Sequence, residues 1–124
     1  MKNELILSAL PHTWIFDVDG TICLHNGYKN GGDMILPGVK SLFSDIPSED
    51  MIIVLTSRNI SEKENLIKFM TDNGLRFNHI IFDVPMGERI LINDNKPSGL
   101  KMAYAVDKKR DSELNILLKI DEEL

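Results

Sequence analysis

The stretch WIFDVDGTI, residues 14–22, places two acidic residues at the end of an apolar run. Asp17 and Asp19 stand one residue apart, and the turn-forming pair Gly20 and Thr21 follows at once. Residues two apart on a strand point to the same side, so both carboxylates can face one crevice. Two carboxylates that close repel each other unless a cation lies between them. The stretch therefore predicts a buried strand that ends in a charged site.

The composition predicts one compact domain over residues 1–124. The chain has a formal net charge of -5, with 43% hydrophobic and 27% charged residues, which is ordinary for a globular domain able to bury a core. The acidic balance argues against nucleic-acid binding, and no apolar run approaches the roughly 20 residues that span a bilayer. Glu4 makes the first ten residues unlike a secretory signal, and Cys23 is the only cysteine. We therefore expect a cytoplasmic protein without nucleic-acid or membrane partners.

Apolar runs that alternate with helical patterns predict an α/β fold with a mostly parallel sheet. The apolar run over 51–56 is typical of a strand covered on both faces. Residues 23–36, rich in Asn and Gly, predict a polar loop or small hairpin. Strands are predicted over 13–17, 51–56, 79–84 and 89–94, with 102–106 as a candidate fifth, and helices over 38–45, 61–72 and around Leu114, Leu117 and Leu118.

Three of the predicted strands end in polar residues that could form one site. In parallel α/β sheets, ligands bind beyond the carboxyl ends of the strands. Asp94 would add a third hard oxygen donor to Asp17 and Asp19, a set that suits Mg²⁺. Thr56 or Ser57 offers a hydroxyl to a phosphoryl oxygen. A carboxylate can attack phosphorus to form an aspartyl-phosphate, while a second acid protonates the leaving oxygen and then activates water.

The pentapeptide Asp17-Val18-Asp19-Gly20-Thr21 resembles the DxDGT motif of the haloacid dehalogenase (HAD) superfamily, most of whose members are Mg²⁺-dependent phosphotransferases. Residues 53–58, IVLTSR, resemble the second motif of that superfamily, and residues 92–94, IND, resemble the fourth. The resemblance covers about residues 13–94. It implies a Rossmann-like, three-layer α/β/α fold with a central sheet of about five strands. Residues 23–36 would be a loop or vestigial cap, so there would be little or no cap over the site.

The resemblance also implies a function and a set of site residues. It points to a phosphatase that hydrolyses the phosphate monoester of a small metabolite, such as a sugar phosphate. The short chain and the LTSRN segment are also similar to small phosphatases of capsular polysaccharide biosynthesis. The resemblance implies that Asp17 is the nucleophile and Asp19 is the acid and base. It implies that Thr56 binds the phosphoryl group, with Ser57 as second choice, and that the substrate contacts are Gly20, Thr21, Ser57 and Arg58. The implied Mg²⁺ ligands are Asp17, the Asp19 carbonyl and Asp94.

The chain departs from the superfamily pattern at its third motif, a Lys or Arg that neutralises charge near the nucleophile. Val84 stands where the small phosphatases carry a lysine. Arg89 and Lys96 are the available substitutes, and Lys96 is preferred because it follows Asp94 by two residues. Asn93 also replaces one of the paired acids often found in the fourth motif. Without a substitute cation, the protein would be a catalytically degenerate relative, either a phosphate-ester-binding protein or a regulatory protein.

The sequence also raises a receiver-type alternative and the expectation of a homo-oligomer. A receiver-type phospho-acceptor domain has a similar length and acidic pocket. Its acceptor Asp ends the third strand, whereas here the acids are spaced on the first, and Asp83 lies in a Pro turn. A site without a cap can accept a large substrate or be covered by a neighbouring subunit. A homo-oligomer is therefore one expectation.

Overall fold

The computed structural model describes residues 3–124 and shows an α/β protein with parallel strands. Single 3₁₀ turns lie at Gly27–Lys29 and Ile60–Glu62. Neither helix of this part of the chain has the length and hydropathy to span a membrane. The elements are β1 (Asn3–Leu7), β2 (Thr13–Asp17), α1 (Val39–Asp45), β3 (Met51–Leu55), α2 (Lys63–Asp72), β4 (His79–Ile81) and β5 (Ile116–Ile120).

The three-stranded sheet β2-β3-β4 brings the carboxyl ends of its strands to one edge. Asp17 pairs in register with Leu55, and Leu55 pairs with Ile81. Thr56 directly follows β3, so it lies one residue beyond the level of Asp17. The predictions for β2, β3, β4 and both helices are confirmed, with ends that shift by up to three residues.

The core lies against one face of this sheet. Phe16, Ile52 and Val54 are buried on that face, and residues of both helices join the same cluster. The opposite face is open, since Ile15 is 52% exposed and Ile81 is 50% exposed. Residues 3–124 thus provide no layer that covers this second face, where a three-layer fold would need one.

A second, two-stranded sheet accounts for the ends of the described chain. β1 and β5 are parallel, with Asn3 opposite Ile116 and Leu7 opposite Ile120. The predicted C-terminal helix is therefore wrong. A short run such as ILLKI has apolar residues at spacings compatible with either helix or strand, and pairing with β1 decides the outcome.

The predicted strands over 89–94 and 102–106 are absent from the structure. Ile90 is 83% exposed and Ile92 is 91% exposed. Within the described chain, no backbone-to-backbone hydrogen bond involves residues 85–95. An apolar run becomes a strand only when another strand supplies hydrogen-bond partners, and no described strand pairs with these segments. The described strands consequently form sheets of two and three strands, not one of five.

Candidate active site

The site begins at Asp17, the last residue of β2. The Thr21 hydroxyl donates a hydrogen bond to Asp17 Oδ2 at 3.0 Å, and Arg89 Nη1 donates to Oδ1 at 2.8 Å. The Asp17 side chain is still 36% exposed. The carboxylate is therefore held in one orientation by two donors while it remains partly open to solvent.

Gly20 makes the sharp turn that follows the two acids. Its φ is +85°, and a Cβ at this position would lie 3.0 Å from Arg110 Cγ. The Gly20 carbonyl accepts hydrogen bonds from Asp111 N at 2.9 Å and from Lys108 Nζ at 2.8 Å. Glycine is required here because the backbone is left-handed and a distant segment packs against it. The prediction of Gly20 as a substrate contact stays a prediction.

Lys108 is a cation near the site that the sequence did not reveal. The run 108–110 packs on the loop after β2. Burial lowers the pKa of Lys108, while the nearby charges of Asp111 and Asp17 raise it, and the net shift is downward. Lys108 lies 88 residues from its partner Gly20, so no local pattern could have found the contact.

Thr56 and Ser57 continue the edge of the sheet beyond β3. Thr56 is 1% exposed, and its Oγ1 accepts a hydrogen bond from Arg58 N at 3.1 Å. Ser57 is exposed. The Thr56 hydroxyl accepts this bond and can still donate its own proton to another acceptor. Because Thr56 is buried, Ser57 carries the more accessible of the two hydroxyl groups. Both remain predicted phosphoryl ligands.

Arg58 is the centre of a buried ion-pair network, and its role as a substrate contact stays a prediction. It is 2% exposed. Its Nε and Nη2 donate to the two oxygens of Asp19 at 3.1 and 2.9 Å. Nη1 and Nη2 donate to the two oxygens of Asp33 at 3.0 and 2.7 Å. The guanidinium also lies 4.0 Å from the centroid of the Tyr28 ring.

The network keeps Arg58 charged and fixes the loop after β2. Burial lowers the pKa of Arg58, but hydrogen bonds and charges from Asp19 and Asp33 outweigh it and raise the pKa above its usual value. Bidentate arginine–carboxylate pairs are among the stronger polar contacts in proteins. Segment 27–33 is thereby attached to the end of β3, which is a role for Asp33 and Tyr28 that the sequence did not suggest.

Asp19, Cys23 and Asp33 are the one group in the described chain whose ligand atoms could gather around a metal, all within 4.8 Å of one another. Arg58 already occupies the centre of this group, with its Nη2 3.5 Å from Cys23 Sγ. Burial, followed by the charges of Asp33 and Asp19, raises the pKa of the Cys23 thiol far above its usual value. A protonated thiol beside a guanidinium does not suit Mg²⁺, so we assign the group to the ion-pair network.

Among the described residues, the side chains of Asp17, Asp19 and Asp94 do not gather into one group. Asp94 lies in the exposed segment after β4, and its described contact is the hydrogen bond that its carbonyl accepts from Asn93 Nδ2. Lys96 is exposed, and its backbone bonds to Leu100 and Gly99. The oxygen of Asp17 is of the hard type that Mg²⁺ prefers. The arrangement therefore supplies one fitting carboxylate and leaves the three-acid set a prediction.

Val84 and Asp83 are relevant to two points of the sequence analysis: the missing cation of the third motif and the receiver-type alternative. Val84 N donates to the Thr56 carbonyl at 3.0 Å, so an apolar side chain lies beside the strand ends. Asp83 Oδ2 accepts a hydrogen bond from Ile60 N at 3.2 Å, so the Asp83 carboxylate stabilises the turn after β3. Arg89, not Lys96, is the candidate cation that reaches Asp17.

Fold and site together describe an α/β protein with an acidic site at the carboxyl edge of a parallel sheet. Comparison with models of protein families, with characterised proteins and with solved structures found no match to the chain.

Proposed function

We propose that the chain is a HAD-like phosphatase that hydrolyses phosphate monoesters of small metabolites through an aspartyl-phosphate intermediate. The observation that supports this most is the Asp17 carboxylate, oriented by Thr21 and open to solvent at the end of β2. Arg89 supplies a positive charge 2.8 Å from it. This combination allows a dianionic phosphate to approach a carboxylate that would otherwise repel it.

In the proposed reaction, an Asp17 oxygen attacks phosphorus and the bond to the ester oxygen breaks. One Asp19 oxygen, which accepts from Arg58 in the resting protein, first takes up a proton from solvent; Asp19 gives this proton to the departing oxygen and then takes a proton from water. That water attacks phosphorus, releases orthophosphate and restores the Asp17 carboxylate. Hydroxyl groups of Ser57 or Thr56 would bind the phosphoryl oxygens, while Arg58 keeps Asp19 in place.

A bound Mg²⁺ ion and an extension of the three-stranded sheet toward the HAD-like arrangement belong to this proposed function. The edge of β2 that faces away from β3 has no strand partner among residues 3–124. The Arg89–Asp17 ion pair holds the start of segment 89–94 near this strand. Pairing of segment 89–94 with that edge would extend the three-stranded sheet and could bring Asp94 to Asp17. Asp17, the Asp19 carbonyl and Asp94 would then hold Mg²⁺, which supplies charge neutralisation when bound.

The decisive assay is phosphate release from an aryl phosphate and a panel of sugar phosphates, with Mg²⁺ or with EDTA. Asp17→Asn is nearly isosteric and removes the nucleophile, so we expect no turnover and an unchanged free energy of unfolding. Asp45→Asn, an exposed acid at the end of α1, serves as a control for general charge effects. Wild-type turnover by Asp17→Asn would refute the covalent mechanism.

A degenerate relative that binds phosphate esters is the second candidate. Val84 beside Thr56, together with the arginine on each acid, favours it. A wild-type protein that binds but never hydrolyses any ester of the panel would support this candidate. The cytoplasmic location and a homo-oligomer stay predictions.

A further inference from the structure

A cavity of about 440 Å³ lies between segment 27–33 and α2. Tyr28 and Phe69 contribute aromatic rings to its wall, and both are partly buried. Asn65, Lys68 and Asp72 line the α2 side. The volume falls in the range of small-molecule sites in proteins.

The cavity adjoins the proposed active site through Asp33. Asp33 lines the cavity and also binds Arg58, which in turn binds Asp19. A carboxylate oxygen of Asp33 lies within 4.8 Å of one of Asp19. The cavity wall therefore begins next to the residue that would give its proton to the leaving oxygen.

The positive charges of the cavity wall are engaged within the protein. Asp33 shares the single positive charge of Arg58 with Asp19, and Lys68 Nζ contacts Asp72 Oδ2 at 2.6 Å. The wall therefore offers no free positive charge for a second phosphate or a carboxylate. Its exposed amide, carboxylate and ammonium groups provide hydrogen-bond donors and acceptors, and its aromatic rings provide flat apolar contact. Such a wall suits a ring that carries hydroxyl groups and no charge.

We propose that this cavity is the leaving-group subsite and that it takes an uncharged, polyhydroxylated ring, the alcohol part of the phosphate ester. This inference rests on the proposed function, because the ring attached to the departing oxygen must lie next to Asp19. Tyr28 and Phe69 contact the faces or edge of the ring. Asn65 and the Lys68–Asp72 pair bind its hydroxyl groups.

The test compares a large and a small ester in two matched variants of α2. Asn65→Trp fills the cavity from an exposed position, while Glu64→Trp puts the same side chain on an adjacent exposed position that does not line it. The selectivity is kcat/KM for glucose 1-phosphate divided by kcat/KM for methyl phosphate. We expect Asn65→Trp to lower this ratio at least about tenfold and Glu64→Trp to leave it unchanged. An unchanged ratio in Asn65→Trp would overturn the proposed subsite.

A binding measurement separates failure of the subsite from failure of the proposed function. Glucose 1-phosphate is added to ¹⁵N-labelled Asp17→Asn protein, and the amide shifts of Tyr28, Lys68 and Phe69 are followed. We expect these shifts to move in Asp17→Asn and to stay fixed when Asn65→Trp is added. If the wild type hydrolyses neither ester, the phosphatase proposal fails, and the shifts still decide the subsite. Absence of shifts would refute the subsite, even if an aryl phosphate is hydrolysed with Asp17 dependence.

Discussion

Each of the two acids at the end of β2, Asp17 and Asp19, is bound to a different arginine, and the two arginines differ in burial. Arg58 is 2% exposed and holds Asp19 through two hydrogen bonds. The Arg89 side chain is 36% exposed and contacts Asp17 through one nitrogen. A buried bidentate pair persists, whereas an exposed single contact exchanges readily with solvent or ligand. Asp17 is thus the acid that a substrate can approach, and Asp19 is the acid that the fold keeps in place.

Arg89 is expected to act as the cation that the third motif lacks. Arg89→Gln should lower kcat/KM for an aryl phosphate at least about tenfold, because a charge next to the developing phosphoryl charge is removed. Lys96→Gln is the matched control, since Lys96 is exposed and has no described side-chain contact. Steady-state kinetics of both variants would check this. A rate lost in Lys96→Gln and kept in Arg89→Gln would restore the choice made from sequence.

Cys23 is expected to be inert in the native protein. Its residue is fully buried, and burial with the neighbouring charges of Asp33 and Asp19 raises the pKa of its thiol. Only the thiolate reacts with iodoacetamide at useful rates. Alkylation followed by mass spectrometry should therefore proceed at the rate of unfolding or loop opening, and quickly in urea. Fast alkylation of the native protein would contradict the buried network around Arg58.

At the scale of elements, β2 and β3 are tied together at the end opposite the site. Asp50, directly before β3, accepts hydrogen bonds from Trp14 Nε1 at 2.9 Å and His12 N at 3.0 Å. Its Oδ2 also lies 2.8 Å from His12 Nδ1. Burial raises the pKa of Asp50, but these hydrogen bonds and the His12 charge lower it below its usual value of 3.8. The contacts fix the start of both strands and hence the register that aligns their carboxyl ends.

Asp50→Ala should destabilise the fold by roughly 2 to 4 kcal/mol at pH 7, since partly buried donors of Trp14 and His12 lose their acceptor. Because the pKa of Asp50 is lowered in the folded state, its contribution is complete above about pH 4 and lost as the pH falls through the lower, folded value. Urea unfolding from pH 7 to pH 2 would measure this. Glu49→Ala, an exposed neighbour, is the control. A cost for Asp50→Ala that stayed constant down to pH 2 would rule out the charged carboxylate as its source.

At the scale of the whole molecule, the two sheets leave apolar segments without partners. Within the described chain, segment 89–94 is exposed and makes no backbone-to-backbone hydrogen bond, while one edge of β2 is open. Exposed apolar runs beside a free sheet edge are prone to strand addition. In the proposed extended sheet, segment 89–94 and the open edge of β2 would supply each other with backbone hydrogen-bond partners.

Hydrogen exchange would measure whether that sheet forms. With Mg²⁺ and orthophosphate present, the proposed pairing predicts that alternate amides of 89–93 exchange at least about a hundredfold more slowly than unprotected peptide. The amides of β3 should be protected with or without these ligands, and they serve as the internal control. Unprotected exchange of 89–93 under all conditions would leave Asp94 away from Asp17 and refute the three-acid Mg²⁺ site.

The sequence by itself determined the three strands β2 to β4, both helices and the place of Asp17 and Asp19 at a strand end. These features follow from local patterns, because apolar runs, turn residues and residue spacing act within about ten positions. Only the tertiary structure decided that Arg58 binds Asp33, that Arg89 and Lys108 approach the loop after β2, and that the C-terminal run pairs with β1 as a strand. Those outcomes depend on which distant segments meet, and a short apolar run or a single charge fits several partners equally well until packing selects one.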